Sequence, residues 1–479
     1  MSRRGVVRGS VAAVVASAWA GSETRAQGND QQLIPDALVT LIETWMEELA
    51  IPGAAIGVAS GDQQQSVGFG IGSIDDPSPV THETRFQIGS ISKTVTSTAI
   101  MRLIEDGLVD LDDPVQRFIP DFTVADADVA AEVTVRHLVT HTSGFDVFPA
   151  LPGTSGDTAL QLLMDETSAI QQVAPPGGPF SYTNLNAAIL GRILEVVGDG
   201  LFEDLIQTMV FDPLDMTTAT YDTETVTAGP HARGHDIAED GTAVVSTGSF
   251  ALPRITWPTG GIFCSIDDLL RYGMYHAGIG VASDALPGKS ARESMQRPLE
   301  PGGSLGRYQV DGVGVSWFTV DRDGITCVLH DGGTNGQQSL LVVVPESGFV
   351  CAVVANASTG VELAALVARW LLNNLLDSRS LDDEPGTPLM ADEFTDCFGT
   401  YRSLDGTTYI VETAFVADGP PRITVIEEAT QTPVFLDSLK KDVWFQQNVN
   451  GRQYIDFVRN EIGEVGWMRI AGRLVAKAG

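Results

Sequence analysis

Ser90 and Lys93 lie three residues apart in the run Phe86-Gln87-Ile88-Gly89-Ser90-Ile91-Ser92-Lys93. A serine hydroxyl is inert at its own pKa and becomes a nucleophile only beside a base, which a neighbouring amine can supply. The chain holds five lysines (Lys93, Lys289, Lys440, Lys441 and Lys477), so Lys93 is the single one before residue 289. The apolar spacing Ile91, Val95, Ala99 and Leu103 predicts a helix through the motif. Residues three apart on a helix share a face, which would set hydroxyl and amine side by side. The partial positive charge at the helix start would favour an alkoxide and lower the lysine pKa. Ser-x-x-Lys is short, and the chain carries a second copy at Ser438-Leu439-Lys440-Lys441. That copy lies between the apolar runs 434–436 and 443–445, which predict two strands and a turn with no helix to follow.

Two further groupings give the first copy a context. Tyr182-Thr183-Asn184 follows the rigid run 175–179, rich in proline and glycine, and precedes a helix over 189–197. A lysine cation close to Tyr182 would lower its pKa enough for general-base work on Ser90, and Asn184 could hydrogen-bond a substrate amide. Alone, the triplet reads as a buried tyrosine ahead of a helix. His330-Asp331-Gly332-Gly333 closes the apolar run 326–330 and predicts a strand ending in glycines, along whose edge a substrate could lie. The Gly333 and Ser90 amides could bind a developing oxyanion. His330 could hold a substrate carboxylate or steer Tyr182. Alone, this stretch reads as a glycine turn between strands.

S-x-x-K at Ser90/Lys93, Y-x-N at Tyr182/Asn184 and H-x-G at His330/Gly332 occur in the order and approximate spacing of the serine β-lactamase and penicillin-binding-protein superfamily. The chain resembles its class C branch, which includes β-lactamases, D-alanyl-D-alanine carboxypeptidases, D-aminopeptidases and esterases. The segments 133–144, 211–216 and 258–265 also resemble that branch's framework, and the resemblance spans roughly residues 33–376. It implies an α/β (α+β) transpeptidase-like fold, a mixed sheet flanked by helices plus an α-helical region, with Ser90 in the cleft between. It further implies an acyl-enzyme on Ser90, proton transfer by Lys93 and Tyr182, a binding and oxyanion set of Asn184, His330, Gly332 and Gly333, and no metal or organic cofactor. Many β-lactamases of this superfamily carry Lys-Thr-Gly where this chain has His330-Asp331-Gly332, and Asp331 would repel a substrate carboxylate if it faced the cleft. Hydrolysis of an ester or a D-amino-acid amide therefore ranks above β-lactam hydrolysis. A non-hydrolytic penicillin-binding or wall-sensing protein is the alternative of another class, and a structural or adhesive role is a third.

The elements that must position these residues are legible in outline. A helix is predicted over 33–49, a strand pair over 54–59 and 66–70, then the Ser90 helix with a break at Gly107. Thr134 is predicted to cap a short helix. A helix over 265–276, strands over 310–320, 326–330, 339–345 and 349–356, and a long helix over 361–376 complete a hydrolase domain at 30–378. Residues 379–391 read as a linker. Residues 392–479 show seven short alternating runs, the pattern of a separate all-β sandwich or barrel, and resemble the lipocalin-like unit appended to some members of the family.

Composition bounds the setting. The chain has 479 residues, 62 acidic against 29 Lys and Arg, for a net charge of −33. That charge argues against nucleic acid and anionic membranes as partners and leaves a small-molecule ester, D-amino-acid peptide or β-lactam. Residues 1–27 read as a signal peptide: paired arginines, a short apolar run at 11–20 and small-residue cleavage sites, resembling a twin-arginine export signal. The expected location is periplasmic or extracellular. Cys264, Cys327, Cys351 and Cys397 show no C-x-x-C spacing, and the first three sit in apolar sequence as buried thiols. His231 and His235 fall in a Gly/Pro loop where no helix would align them on a metal.

Overall fold

A computed structural model describes residues 32–146, 148, 156–280, 285–376, 386–390, 393–414, 422–448 and 451–478. The predicted signal peptide and much of the predicted linker fall outside that set. Helix α1 (Asp36–Glu48) leads into strands β1 (Gly53–Ser60) and β2 (Gln63–Gly70). Helices α2 (Ser92–Glu105), α3 (Asn184–Gly198) and α4 (Ile266–Ala277) lie in the middle of the chain. Strands β3 (Glu300–Leu305), β4 (Tyr308–Val313), β5 (Phe318–Arg322), β6 (Ile325–Thr334), β7 (Gln337–Val344) and β8 (Phe349–Ala355) follow, then α5 (Gly360–Leu375).

The eight strands form one sheet in the order β2-β1-β8-β7-β6-β5-β4-β3, so the N-terminal pair joins the late strands as expected. The mixture of directions expected of that sheet resolves to antiparallel pairing throughout. Hairpin turns connect β3 through β8, and β1 enters antiparallel to β8. Both sheet faces are buried, which is why β8 reads as an unbroken apolar run. On one face Leu340, Val342 and Val353 pack with Leu38 and Ile42 of α1 and Leu363 and Val367 of α5. On the other, Leu341, Val343 and Val354 pack with Leu269 of α4, Val95 of α2 and Ile189 of α3. The two faces therefore belong to different layers.

Three details depart from expectation. The run 310–320 is two strands, β4 and β5, separated at Ser316, which takes a left-handed φ of 57°. Strand β3 carries one proline and two glycines, so it shows no alternation and the sequence pattern passes it over. Strand β6 does not stop at His330 but runs through the glycines to Thr334.

The C-terminal part is a closed barrel of eight antiparallel strands, not a sandwich. They are β9 (Gly399–Arg402), β10 (Thr408–Ala414), β11 (Arg422–Glu427), β12 (Pro433–Lys440), β13 (Val443–Asn448), β14 (Gly451–Arg459), β15 (Val465–Ile470) and β16 (Arg473–Lys477). Strand β16 is the addition to the seven expected runs. Tyr401, Trp444 and Met468 fill the interior. The Ser438 copy of Ser-x-x-Lys straddles the end of β12, as its flanking runs predict. Residues 386–390, expected as linker, are docked on the barrel: Thr387 N donates to Leu439 O at 3.1 Å, and Leu389 is buried.

The barrel packs against edge strand β3. Ser304 N donates to Asp456 Oδ1 at 2.8 Å, and Tyr454 N donates to Gly306 O at 2.8 Å. All four cysteines are buried free thiols. No described helix is long and apolar enough to cross a membrane.

Candidate active site

Ser90 is carried on a single 3₁₀ turn, Gly89–Ile91, that runs directly into α2. The turn is fixed from three sides. Phe86-Gln87 pairs with Phe263-Cys264, Ile88 N donates to Ile262 O at 3.0 Å, and Ser339 Oγ donates to Ile88 O at 2.7 Å. Gly89 takes a left-handed φ of 51°, a conformation that favours glycine.

Lys93 is fully buried, and its Nζ donates to Ser90 Oγ at 2.9 Å and to Thr259 O at 2.9 Å. Burial pushes its pKa down to about 7, the Asp331 charge opposes this, and the Arg473 charge adds to it. Near neutral pH the amine is therefore neutral in a large share of molecules. In that form the contact reverses, and the Ser90 hydroxyl donates to the Nζ lone pair.

Tyr182 behaves differently from expectation. The Lys93 ammonium sits over its ring, 5.0 Å from the centroid. Burial holds the phenol pKa well above its ordinary value, although nearby Ser90 and Arg473 pull the other way. The ring is half-exposed, but the hydroxyl oxygen is shielded from solvent and makes no hydrogen bond of ordinary geometry. The expected lowered tyrosine pKa is thus overturned. The phenol stays protonated, and Lys93 is the group poised to take a proton.

His330 lies beside Tyr182, with ring centroids 6.2 Å apart. It is fully buried, and burial with the Lys93 charge pushes its pKa down to about 3. Its Nδ1 lies 2.6 Å from Asp331 O, a carbonyl that can only accept, so the proton resides on Nδ1. Nε2 therefore presents a lone pair and has no partner. The neutral ring offers a carboxylate no charge at Nε2, which is itself buried. It can accept from a substrate N–H or from a hydroxyl.

Register settles where Asp331 points. His330 stands opposite Leu341, on the sheet face toward α2, while Asp331 stands opposite Leu340, on the face covered by α1 and α5. The Asp331 charge accordingly raises the pKa of Tyr308, on that second face. The same charge also reaches Lys93 and Tyr182, so it is felt within the site although the side chain lies on the second face.

Strand β6 loses its β5 neighbour beyond Leu329, which leaves residues 330–334 with an open edge against the Ser90 turn. The approach is close. A Cβ on Gly332 would lie 2.0 Å from Ile88 O and 2.9 Å from Ser90 N, and one on Gly89 would lie 2.7 Å from Gly333 N. The Ser90 and Gly333 amides thus lie on facing segments, and Gly333 is exposed.

Asn184 is the first residue of α3, half-exposed, behind Thr183, whose hydroxyl caps the helix by accepting from Leu185 N at 3.3 Å. The segment 140–144 supports this corner. His141, at a left-handed φ of 55°, accepts from Thr183 N through Nδ1 at 3.3 Å, and its ring lies 4.6 Å from that of Tyr182. From sequence alone His141 belongs to the framework segment 133–144, and nothing there places it under the tyrosine. The other support it missed is the barrel. Gly472 O accepts from Tyr182 N at 2.8 Å, and Leu474 N donates to Ser181 Oγ at 3.1 Å. Arg469 donates to Phe180 O at 3.0 Å while paired with Asp456 at 2.6 Å. No local pattern in residues 465–477 announces this docking.

The family model described as Beta-lactamase matches residues 38–374. Penicillin-binding protein 4 of Amycolatopsis lactamdurans is 32% identical over 332 residues, 69% of this chain and 87% of that protein. The crystal structure of SurE superposes with a TM-score of 0.72 at 25% identity, covering 92% of this chain and 98% of its own, a span that takes in the barrel. The class C beta lactamase of Rhodobacter sphaeroides superposes at 0.58 with 23% identity, over 71% of this chain and 100% of its own.

Proposed function

Because the chain belongs to the beta-lactamase family of serine hydrolases, we propose that Ser90 attacks an acyl carbon and that an acyl-enzyme on Ser90 is then hydrolysed by water. The observation that carries this reading is the buried Lys93 amine, 2.9 Å from Ser90 Oγ and depressed to about 7. In the first step the neutral amine takes the Ser90 proton as Oγ bonds to the carbonyl carbon. The C=O electron pair moves to oxygen, where the Ser90 and Gly333 N–H groups stabilise the charge. Collapse expels the leaving amine or alkoxide, which takes its proton from the Tyr182 phenol or the Lys93 ammonium. A water molecule repeats the sequence on the acyl-enzyme and restores Ser90.

The substrate class is an ester or a D-amino-acid amide. In place of the lysine of Lys-Thr-Gly the chain has a buried, neutral His330, which offers the β-lactam carboxylate no charge at that position. Incubation with a fluorescent penicillin or a fluorophosphonate, followed by mass analysis, should label Ser90. Label that persists in Ser90→Ala would sink the reading. Turnover of p-nitrophenyl esters, acyl-D-alanyl-D-alanine and nitrocefin, compared as kcat/KM, ranks the substrates. A stoichiometric burst without turnover would instead identify a non-hydrolytic penicillin-binding protein.

A further inference from the structure

Loop 73–78 and segment 227–233 enclose an open cavity of about 380 Å³, whose lining includes no residue of the Ser90 turn or of β6. That volume falls in the range of small-ligand sites. The walls carry charge of both signs, Asp75 and Asp76 from the loop and Arg233 from the segment. None of the three side chains makes a hydrogen bond or ion pair among the described residues. Arg233 instead lays its guanidinium over the Phe250 ring, 4.7 Å from the centroid. Opposite charges that share a cavity without pairing leave room between them for a group that bears both.

Backbone contacts fix these walls in place. Ile74 N donates to His235 Nε2 at 3.3 Å, Asp75 N to Ser73 Oγ at 3.3 Å, and Arg233 N to Gly72 O at 2.9 Å. His235 is itself buried and gives its Nδ1 proton to Asn356 O at 2.7 Å. Burial holds the His235 pKa below its ordinary value, while the Asp75 charge raises it and the Arg233 charge lowers it, so both charges act on one ring. Arg233 is also the shared wall with a smaller pocket that reaches Gln87. Gln87 is 3% exposed, and its Nε2 has no partner. An unpaired cation and a buried amide donor thus line the same inner pocket.

The mixture of groups narrows the ligand. An anion alone would be repelled by the two carboxylates, and a cation alone by Arg233. No cluster of three or more His, Cys, Asp or Glu among the described residues could hold a metal ion. His231 gives its Nδ1 proton to Gly229 O at 2.9 Å and so presents a lone pair at Nε2, an acceptor for an N–H. The apolar lining is limited to Pro230 and Val245, which suits a short side chain. We propose that this cavity binds a small free α-amino acid as its zwitterion, the carboxylate on Arg233 and the ammonium on Asp75, Asp76 and His231. A guanidinium fork suits the carboxylate, and two carboxylates with a ring nitrogen match the three ammonium protons. The site is separate from the Ser90 chemistry and stands or falls independently of the hydrolase reading.

Calorimetry on the full chain tests this, with glycine as the probe and N-acetylglycine and glycinamide as controls. Glycine should saturate a single site, and each control, lacking one charge, should bind about tenfold or more weakly. Arg233→Gln should weaken glycine binding about tenfold or more, and so should the double variant Asp75→Asn, Asp76→Asn. The two aspartates are exposed, so the double variant keeps the test decisive if Arg233→Gln lowers the melting temperature. Chain labelled on Ser90 by a fluorophosphonate should bind glycine as the unlabelled chain does. Absence of saturable binding, equal affinity for the controls, or variants that bind like the wild type would overturn the proposal. Loss of glycine binding on labelling would overturn it too, because the ligand would then sit in the cleft.

Discussion

Protonation at the site follows burial more than neighbouring charge. Lys93 has its pKa lowered to about 7 because solvent is excluded, and the active form is the one that has lost the proton. kcat/KM should therefore rise with pH through about 7 and flatten above it; a profile flat from pH 5 to 9 would argue against Lys93 as the base. Lys93→Arg keeps a charge in place but cannot deprotonate, so activity should fall roughly 10²–10⁴-fold. Tyr182→Phe removes a hydroxyl that has no hydrogen-bond partner. It should cost turnover while leaving Tm essentially unmoved, since at most a weak contact with Ser90 is lost. The identities of Ser90, Lys93, Tyr182 and His330 were legible because residue types recur in order along the chain. Their protonation was not, because desolvation depends on what other segments cover them. His330 illustrates this: a histidine in a motif says nothing about which nitrogen carries the proton until the Asp331 carbonyl is seen beside Nδ1.

Among the elements, the strand and turn that meet at the site are held at backbone contact. Gly332→Ala would drive a Cβ into Ile88 O at 2.0 Å and displace β6 from the Ser90 turn. It should reduce kcat/KM and lower stability by about 1–3 kcal/mol, measured by thermal melting beside steady-state kinetics. Periodicity located most elements well: α1, β1, β2, α4, β7, β8 and α5 lie close to their expected bounds. It failed where residues break the alternation, as in β3, or where strands are too short to show it, as in β16. The glycines of β6 read as a strand end because glycine is rare inside strands. Here they continue the strand because only a bare backbone can lie this close to another chain segment.

For the molecule as a whole, the barrel is not a bystander. Its hairpin holds the tyrosine motif by three hydrogen bonds, from Gly472, Leu474 and Arg469, so it shares in positioning Tyr182. Arg469 is buried with Asp456, and breaking such a pair from one side costs about 3–5 kcal/mol. Arg469→Ala should lower the melting temperature and kcat together. Deleting residues 379–479 should reduce hydrolysis, in contrast to what a purely adhesive domain would give. The seating of the barrel has one more consequence, for association between molecules. The outer strand of the sheet, β3, is covered by Asp456 and Tyr454. Stripped of that cover, its free amides and carbonyls become a template on which a second chain can add a strand. A trimmed enzyme would then be lost to self-assembly through that edge, and light scattering would register this before any assay did.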